Sequence, residues 1–144
     1  YRTQIRALGL EANARGVFSA ADRPQARRHA LAMKLGLLDQ AITAEILDQL
    51  LAARRALVDK TGALLAIRSS ALVEDRFGSS FAGQFESYLD LDTEADFVTA
   101  VRSCWAALWS TRVLRYMAGH DASPADTAMA VLIQPLVEAR LSGG

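Results

Sequence analysis

The sequence predicts an α/β chain of the α+β kind, with a helical N-terminal part and a small β-sheet covered by a long helix. Three observations carry this. Residues 1–60 repeat apolar side chains every three to four positions, the spacing of a helix face. Beyond residue 60 the pattern changes to short apolar runs and one alternating run, as in strands. Ala occurs 27 times and Leu 20 times while aromatics make up 7%, a bias toward helix. A chain of 144 residues suits one domain's core. At that size folding buries roughly 68–70% of the unfolded surface.

Taken in order, Tyr1 to Ala14 reads as a first helix with Ile5, Leu8 and Ala12 on one face, stopped by Gly16. Asp22-Arg23-Pro24 opens a second, because Pro suits the first turn. That helix runs to about Leu38, with Gly36 weakening its last turn. Thr43 caps a third, in which Ile46, Leu47, Leu50, Leu51 and Leu57 recur and Arg54 and Arg55 sit near the C-terminal end. Lys60-Thr61-Gly62 is a turn, and Ala63–Ile67 a buried strand. Residues 68–84 are rich in Ser and Gly and lack helical spacing. Phe85–Leu91 alternates as a strand, and Asp92 caps a long helix whose stripe is Phe97, Val101, Cys104, Trp105, Leu108 and Tyr116. Gly119–Pro124 is a loop, and Ala128–Gln134 a second buried strand ending at Pro135. This divides the domain into a helical segment, 1–60, and an α/β lobe, 61–144.

Composition narrows the function classes. The 16 basic and 16 acidic residues cancel, so no overall field recruits nucleic acid or a membrane surface. The balance conceals an asymmetry: residues 1–60 carry 10 basic and 6 acidic side chains, residues 61–144 carry 6 and 10. The longest uncharged apolar run, Thr127–Val137, is 11 residues, too short to span a bilayer. The lone Cys104 cannot form an internal disulfide, which suits a reducing, cytoplasmic setting. The chain opens at Tyr1 and closes on Gly143-Gly144 directly after an apolar run, and the expectation is a piece of something larger.

Chemistry concentrates after the first strand. Arg68-Ser69-Ser70 follows it directly, and Gly78-Ser79-Ser80-Phe81-Ala82-Gly83-Gln84 comes next. Small residues let backbone N–H groups approach an anion, and an arginine supplies a permanently charged fork for phosphate. A flexible surface turn has the same composition, so spacing alone leaves both readings open.

The blocks Ile67-Arg68-Ser69-Ser70-Ala71, Glu74-Asp75, Ser80-Phe81-Ala82-Gly83-Gln84, Glu86-Ser87-Tyr88-Leu89, Cys104-Trp105 and Gln134-Pro135-Leu136-Val137 stand in an ordered series. Together they resemble the N-terminal nucleotide-binding domain of the family of phosphoenolpyruvate synthase, pyruvate phosphate dikinase and rifampin phosphotransferase. The resemblance runs from Ala66 to roughly Gly143. It implies a fragment of an ATP-grasp domain, with adenine between two lobes and the triphosphate under a glycine-bearing loop. It implies that Arg68 contacts the phosphates, that Ser80, Ala82, Gly83 and Gln84 form the covering loop, and that Ser87 stands where the family often has threonine. Gln134, Pro135, Leu136 and Val137 would form the adenine hinge, mostly through backbone groups, with Arg112 a further ATP contact. The implied cofactors are ATP and Mg²⁺, the metal carboxylates falling beyond Gly144. The implied partners are a phosphohistidine swivelling domain and an acceptor domain of the same polypeptide. The whole enzyme would pass a phosphoryl group from ATP through that histidine to pyruvate or a related acceptor, with this fragment inactive alone. Leu72-Val73, Arg76-Phe77-Gly78 and Leu136 differ from the family pattern, which leaves the acceptor open.

The remaining residues read as structural. His29 lies in a basic helix and His120 in a loop, neither in a phosphocarrier context. Cys104, Trp105 and Trp109 read as packing residues of one helix. Glu74 and Asp75, adjacent acids, read as solvated rather than as metal ligands. Two rival functions stand beside the phosphotransferase reading: a non-catalytic nucleotide-sensing module, and a helical interaction module built on residues 1–60.

Overall fold

The computed structural model describes residues 1–73, 85–123 and 127–137. Four helices come first: α1 (Arg2–Ala7), α2 (Glu11–Ser19), α3 (Arg23–Asp39) and α4 (Ala44–Thr61). Strand β1 (Leu65–Ala71) follows, then β2 (Ser87–Leu91), α5 (Glu94–Ala107), α6 (Thr111–Ala118) and β3 (Met129–Pro135). The chain is α+β, as the sequence predicts.

The first expected helix is two. Gly9 takes φ 67°, and its N–H bonds the Arg6 carbonyl while the Leu10 N–H reaches back to Ile5, both at 3.0 Å. This double closure on a left-handed glycine ends α1. Gly16, expected as the stop, lies inside α2 against the His29 ring, where a Cβ would come within 2.7 Å. Gly36 likewise marks close packing, since a Cβ there would meet Leu10 at 2.8 Å. Asp22 caps α3 as predicted, accepting from the Gln25 N–H at 2.8 Å. Thr43 sits at the N-cap of α4, but its hydroxyl makes no capping bond.

The second half departs in three places. Thr93, not Asp92, caps α5, because its hydroxyl reaches the Asp96 N–H at 3.0 Å and donates to that carboxylate at 2.7 Å. The expected long helix divides at Leu108–Ser110, where Ser110 caps a new helix through the Val113 N–H. There Trp109 turns into the core, and its indole N–H donates to the Tyr1 hydroxyl at 2.8 Å. Finally, β1 continues through Arg68-Ser69-Ser70, because β3 pairs with it as far as Ala71, while β2 pairs with it only up to Arg68.

The sheet runs β2-β1-β3 and is antiparallel throughout. β1 and β3 stay in register from Leu65 opposite Pro135 to Ala71 opposite Met129. β1 and β2 slip by one residue, since Leu65 faces Leu91 but Ile67 faces Tyr88. The extra residue falls on β2, where Asp90 takes φ 55°. Helix α5 covers one face of the sheet, with Phe97, Val101, Cys104 and Trp105 packed on Leu65, Ile67, Ala71, Leu91 and Met129. Helix α3 lies against α5 through Met33 and Leu37, and the Arg102 guanidinium donates to the Leu37 and Leu38 carbonyls. Helix α4 lies along β3. Buried Gln4 ties the α3–α4 link, donating to the Ala41 carbonyl at 2.9 Å and accepting from the Thr43 N–H at 3.0 Å. The helical segment therefore packs on the lobe of its own chain, which weighs against a helical interaction module.

Candidate nucleotide site

The site follows from strand alternation on β1. Leu65, Ile67, Ser69 and Ala71 face α5; Ala66, Arg68 and Ser70 face the other way, and Arg68 and Ser70 are exposed. The register sets the neighbours. The Leu136 N–H bonds the Leu64 carbonyl at 2.7 Å and the Leu72 N–H bonds the Ala128 carbonyl at 3.0 Å. Counting by twos between them makes Ala66–Gln134 and Arg68–Leu132 the hydrogen-bonded pairs of the ladder. The Arg68 backbone therefore serves β3, and its pairing with Ser87 on β2 is the non-hydrogen-bonded kind. Such pairs hold their side chains nearest, with Cα atoms roughly 4.5 Å apart. Gln134 is the diagonal neighbour of Arg68, at a separation of about 7–8 Å.

Three of the sequence-predicted residues, Arg68, Ser87 and Gln134, thus share the face that α5 does not cover. Their chemistry is complementary: a fixed cation, a hydroxyl and an amide. Among the described residues the Arg68 guanidinium has neither ion pair nor hydrogen bond. An exposed arginine on a central strand, flanked by polar groups, fits an incoming phosphate. Leu132 and Ser70 complete the same face, with Leu132 50% exposed between Arg68 and the edge. Sequence reasoning passed over Leu132, although a period of two counted back from Gln134 finds it.

The residues expected to form the hinge divide. The ladder turns the backbone groups of Gln134 and Leu136 toward β1, and those of Pro135 and Val137 outward from the sheet edge. Pro135, which has no N–H, sits where the ladder needs none. Val137 is 82% exposed. Arg112 belongs to the first turn of α6, off the sheet that carries the other three. Ser80, Ala82, Gly83 and Gln84 lie outside the described residues, as do Glu74 and Asp75. Among the described residues no three His, Cys, Asp or Glu side chains converge as a metal site.

The packing residues behave as such. Burial pushes the Cys104 thiol up to about 12, and the side chain is 1% exposed. Trp105 is buried and meets the Tyr1 ring edge-on at 6.3 Å. Tyr88, facing α5, has its hydroxyl pushed up by burial, partly offset by a hydrogen bond with Ser103. His29 bonds Asn13 at 3.1 Å, and His120 stacks on Tyr116 at 3.9 Å. Neither approaches the Arg68 face as a pairing partner.

The whole chain, residues 1–144, matches the family described as pyruvate phosphate dikinase, AMP/ATP-binding domain. The chain belongs to this family. Its relatives are larger proteins. It is 42% identical over 100 residues to phosphoenolpyruvate synthase of Aeropyrum pernix, covering 62% of this chain and 12% of that one. It is 40% identical over 79 residues to the uncharacterized phosphotransferase YvkC of Bacillus subtilis, 55% of this chain and 10% of that one. It is 44% identical over 82 residues to the prodigiosin synthesizing transferase PigC of Serratia marcescens, 57% of this chain and 9% of that one. The chain thus spans about a tenth of the curated relatives it matches. As an AMP/ATP-binding domain it is part of an enzyme family of transferases. No helix among the described residues is long and apolar enough to cross a membrane.

Proposed function

We propose that this domain is the ATP-binding part of a phosphoenolpyruvate-synthase-like phosphotransferase with an ATP-grasp architecture. In this reading the β-phosphate of ATP passes to a histidine on a swivelling domain and then to pyruvate or a related acceptor. The observation that carries it is the gathering of Arg68, Ser87 and Gln134 on the sheet face that α5 does not cover, with the Arg68 fork unengaged among the described residues. Phosphoryl transfer asks the protein for charge neutralisation and alignment rather than covalent chemistry. Arg68 neutralises and orients phosphate oxygens, Ser87 offers a hydroxyl beside it, and the outward backbone of Pro135 and Val137 offers an acceptor and a donor for adenine. Mg²⁺ would accompany the nucleotide, held by carboxylates that the family resemblance puts beyond Gly144. The protein works in the cytoplasm, where its one thiol stays reduced.

The test is ATP affinity of the intact protein measured by calorimetry. Arg68→Ala is expected to weaken binding by about 1.5–3 kcal/mol, the scale of a hydrogen bond to a charged group. Arg68→Lys is expected to recover part of that loss, because it keeps the charge without the fork. Unchanged affinity in a folded Arg68→Ala protein would remove Arg68 from the site and this reading with it.

A further inference from the structure

A second concave site lies away from the sheet, between α6 and the α2–α3 pair. It encloses about 530 Å³, within the range of roughly 300–1,000 Å³ that small-molecule sites occupy. Its apolar lining includes half-buried Val17, Phe18 and Leu114. Three arginines, Arg23, Arg27 and Arg115, come to it from two different helices. One carboxylate, Asp121, also lines it, with no arginine in ion-pair range among the described residues.

Some arginines of this chain are held by partners of their own. Arg6 pairs with Glu11, Arg54 donates to the Asp92 carbonyl, and Arg102 donates to Leu37 and Leu38. Arg23, Arg27 and Arg115 have no such partner among the described residues. Arg23 and Arg27 are four apart on α3, where like charges repel across one helical turn. Bringing a third cation from α6 to the same groove adds to that repulsion, and a bound anion relieves it. The apolar lining gives no reason for a bare anion, which water solvates better. The two features together fit a ligand with an anionic head and an apolar body.

We propose that the α2–α3–α6 groove binds a small amphiphilic anion, a phosphomonoester or carboxylate carrying an aromatic or branched hydrocarbon group. The head lies among Arg23, Arg27 and Arg115, and the body lies over Val17, Phe18 and Leu114. This site is separate from the Arg68 face, so its occupancy is independent of ATP.

Phenyl phosphate is the probe, titrated into the intact protein and followed through the methyl resonances of Val17 and Leu114. Saturable shifts are expected, unchanged by excess ATP. Arg27→Gln with Arg115→Gln is expected to weaken the probe at least about tenfold, or roughly 1.4 kcal/mol, with the thermal midpoint unchanged or raised as the repulsion is relieved. Benzoate in place of phenyl phosphate tells whether a carboxylate head suffices, and binding by either supports the proposal. Inorganic phosphate and benzyl alcohol each lack one half of the ligand, and each is expected to bind at least tenfold more weakly than phenyl phosphate. Equal binding of inorganic phosphate, displacement by ATP, or undiminished binding in the folded double variant would overturn it. Tighter displacement by an acidic peptide would also overturn it, marking the groove as a protein-docking surface instead.

Discussion

Cys104 shows how one side chain's surroundings decide its chemistry. It lies on the covered face of α5, 1% exposed, and burial raises its thiol from 9.0 to about 12. The unfolded chain then releases this proton near pH 9 while the native state keeps it. The associated stability is fully present below about pH 9 and declines as pH rises toward about 12. Urea titrations at pH 7, 9 and 10.5 are expected to show that decline, and Cys104→Ala is expected to make it shallower. An equal slope in both proteins would assign it to other groups, such as the Tyr1 hydroxyl, which burial also raises. The buried role of Cys104 was readable from its place on an apolar stripe. The exposed role of Arg68 was readable only in part. Its type and neighbours pointed to phosphate, but its place within β1 depends on two strands that pair with it from elsewhere in the chain.

Elements end where local hydrogen bonds offer the backbone something better than continuing. Gly9 closes α1 with two bonds, and Ser110 opens α6 with one, yet the apolar spacing on both sides continues through each break. Periodicity alone therefore merged α1 with α2 and α5 with α6. Asp92 and Thr93 are both good caps by composition, and only geometry shows that Thr93 reaches Asp96. The bulge on β2 was equally hidden, because Phe85–Leu91 alternates without interruption in the sequence. Asp90 holds the bulge at φ 55°, a conformation that Asp tolerates and a β-branched residue does not. Asp90→Val is expected to cost about 1–2 kcal/mol. Asp90→Gly, with no Cβ to strain but a freer unfolded chain, is expected to stay within about 0.5 kcal/mol of wild type. Urea midpoints of the two variants check this. A Val variant as stable as wild type would show that the register slips to remove the bulge. The slip would also move Ser87 off the Arg68 face, so ATP affinity is a second readout of the same substitution.

Across the whole molecule, one side of the sheet holds the structure together, and the other is the face proposed to bind ATP. Trp105 lies on the first side, at the meeting of α5, the sheet and the N-terminal residues. It is 3% exposed, its ring meets Tyr1 at 6.3 Å, and it lies in one core with Ile67, Met129 and Met33. Arg68, Ser87 and Gln134 lie on the second side, separated from it by the thickness of β1 and its neighbours. Removing the indole leaves a cavity that helices and strands cannot both close, so Trp105→Ala is expected to cost about 3–5 kcal/mol. That is a large share of the roughly 5–15 kcal/mol that separates a folded domain from its unfolded chain. The ATP affinity of the molecules that remain folded is expected to be unchanged, because no ligand-facing residue depends on the indole for contact. Arg68→Ala is expected to do the reverse, weakening ATP while leaving the urea midpoint in place, since its side chain is exposed and unpaired among the described residues. Stability by urea titration and affinity by calorimetry, measured on both variants, separate the two faces. If Trp105→Ala abolished binding at wild-type stability, the tryptophan would be a ligand contact, and the division of the sheet into a packing face and a binding face would fail.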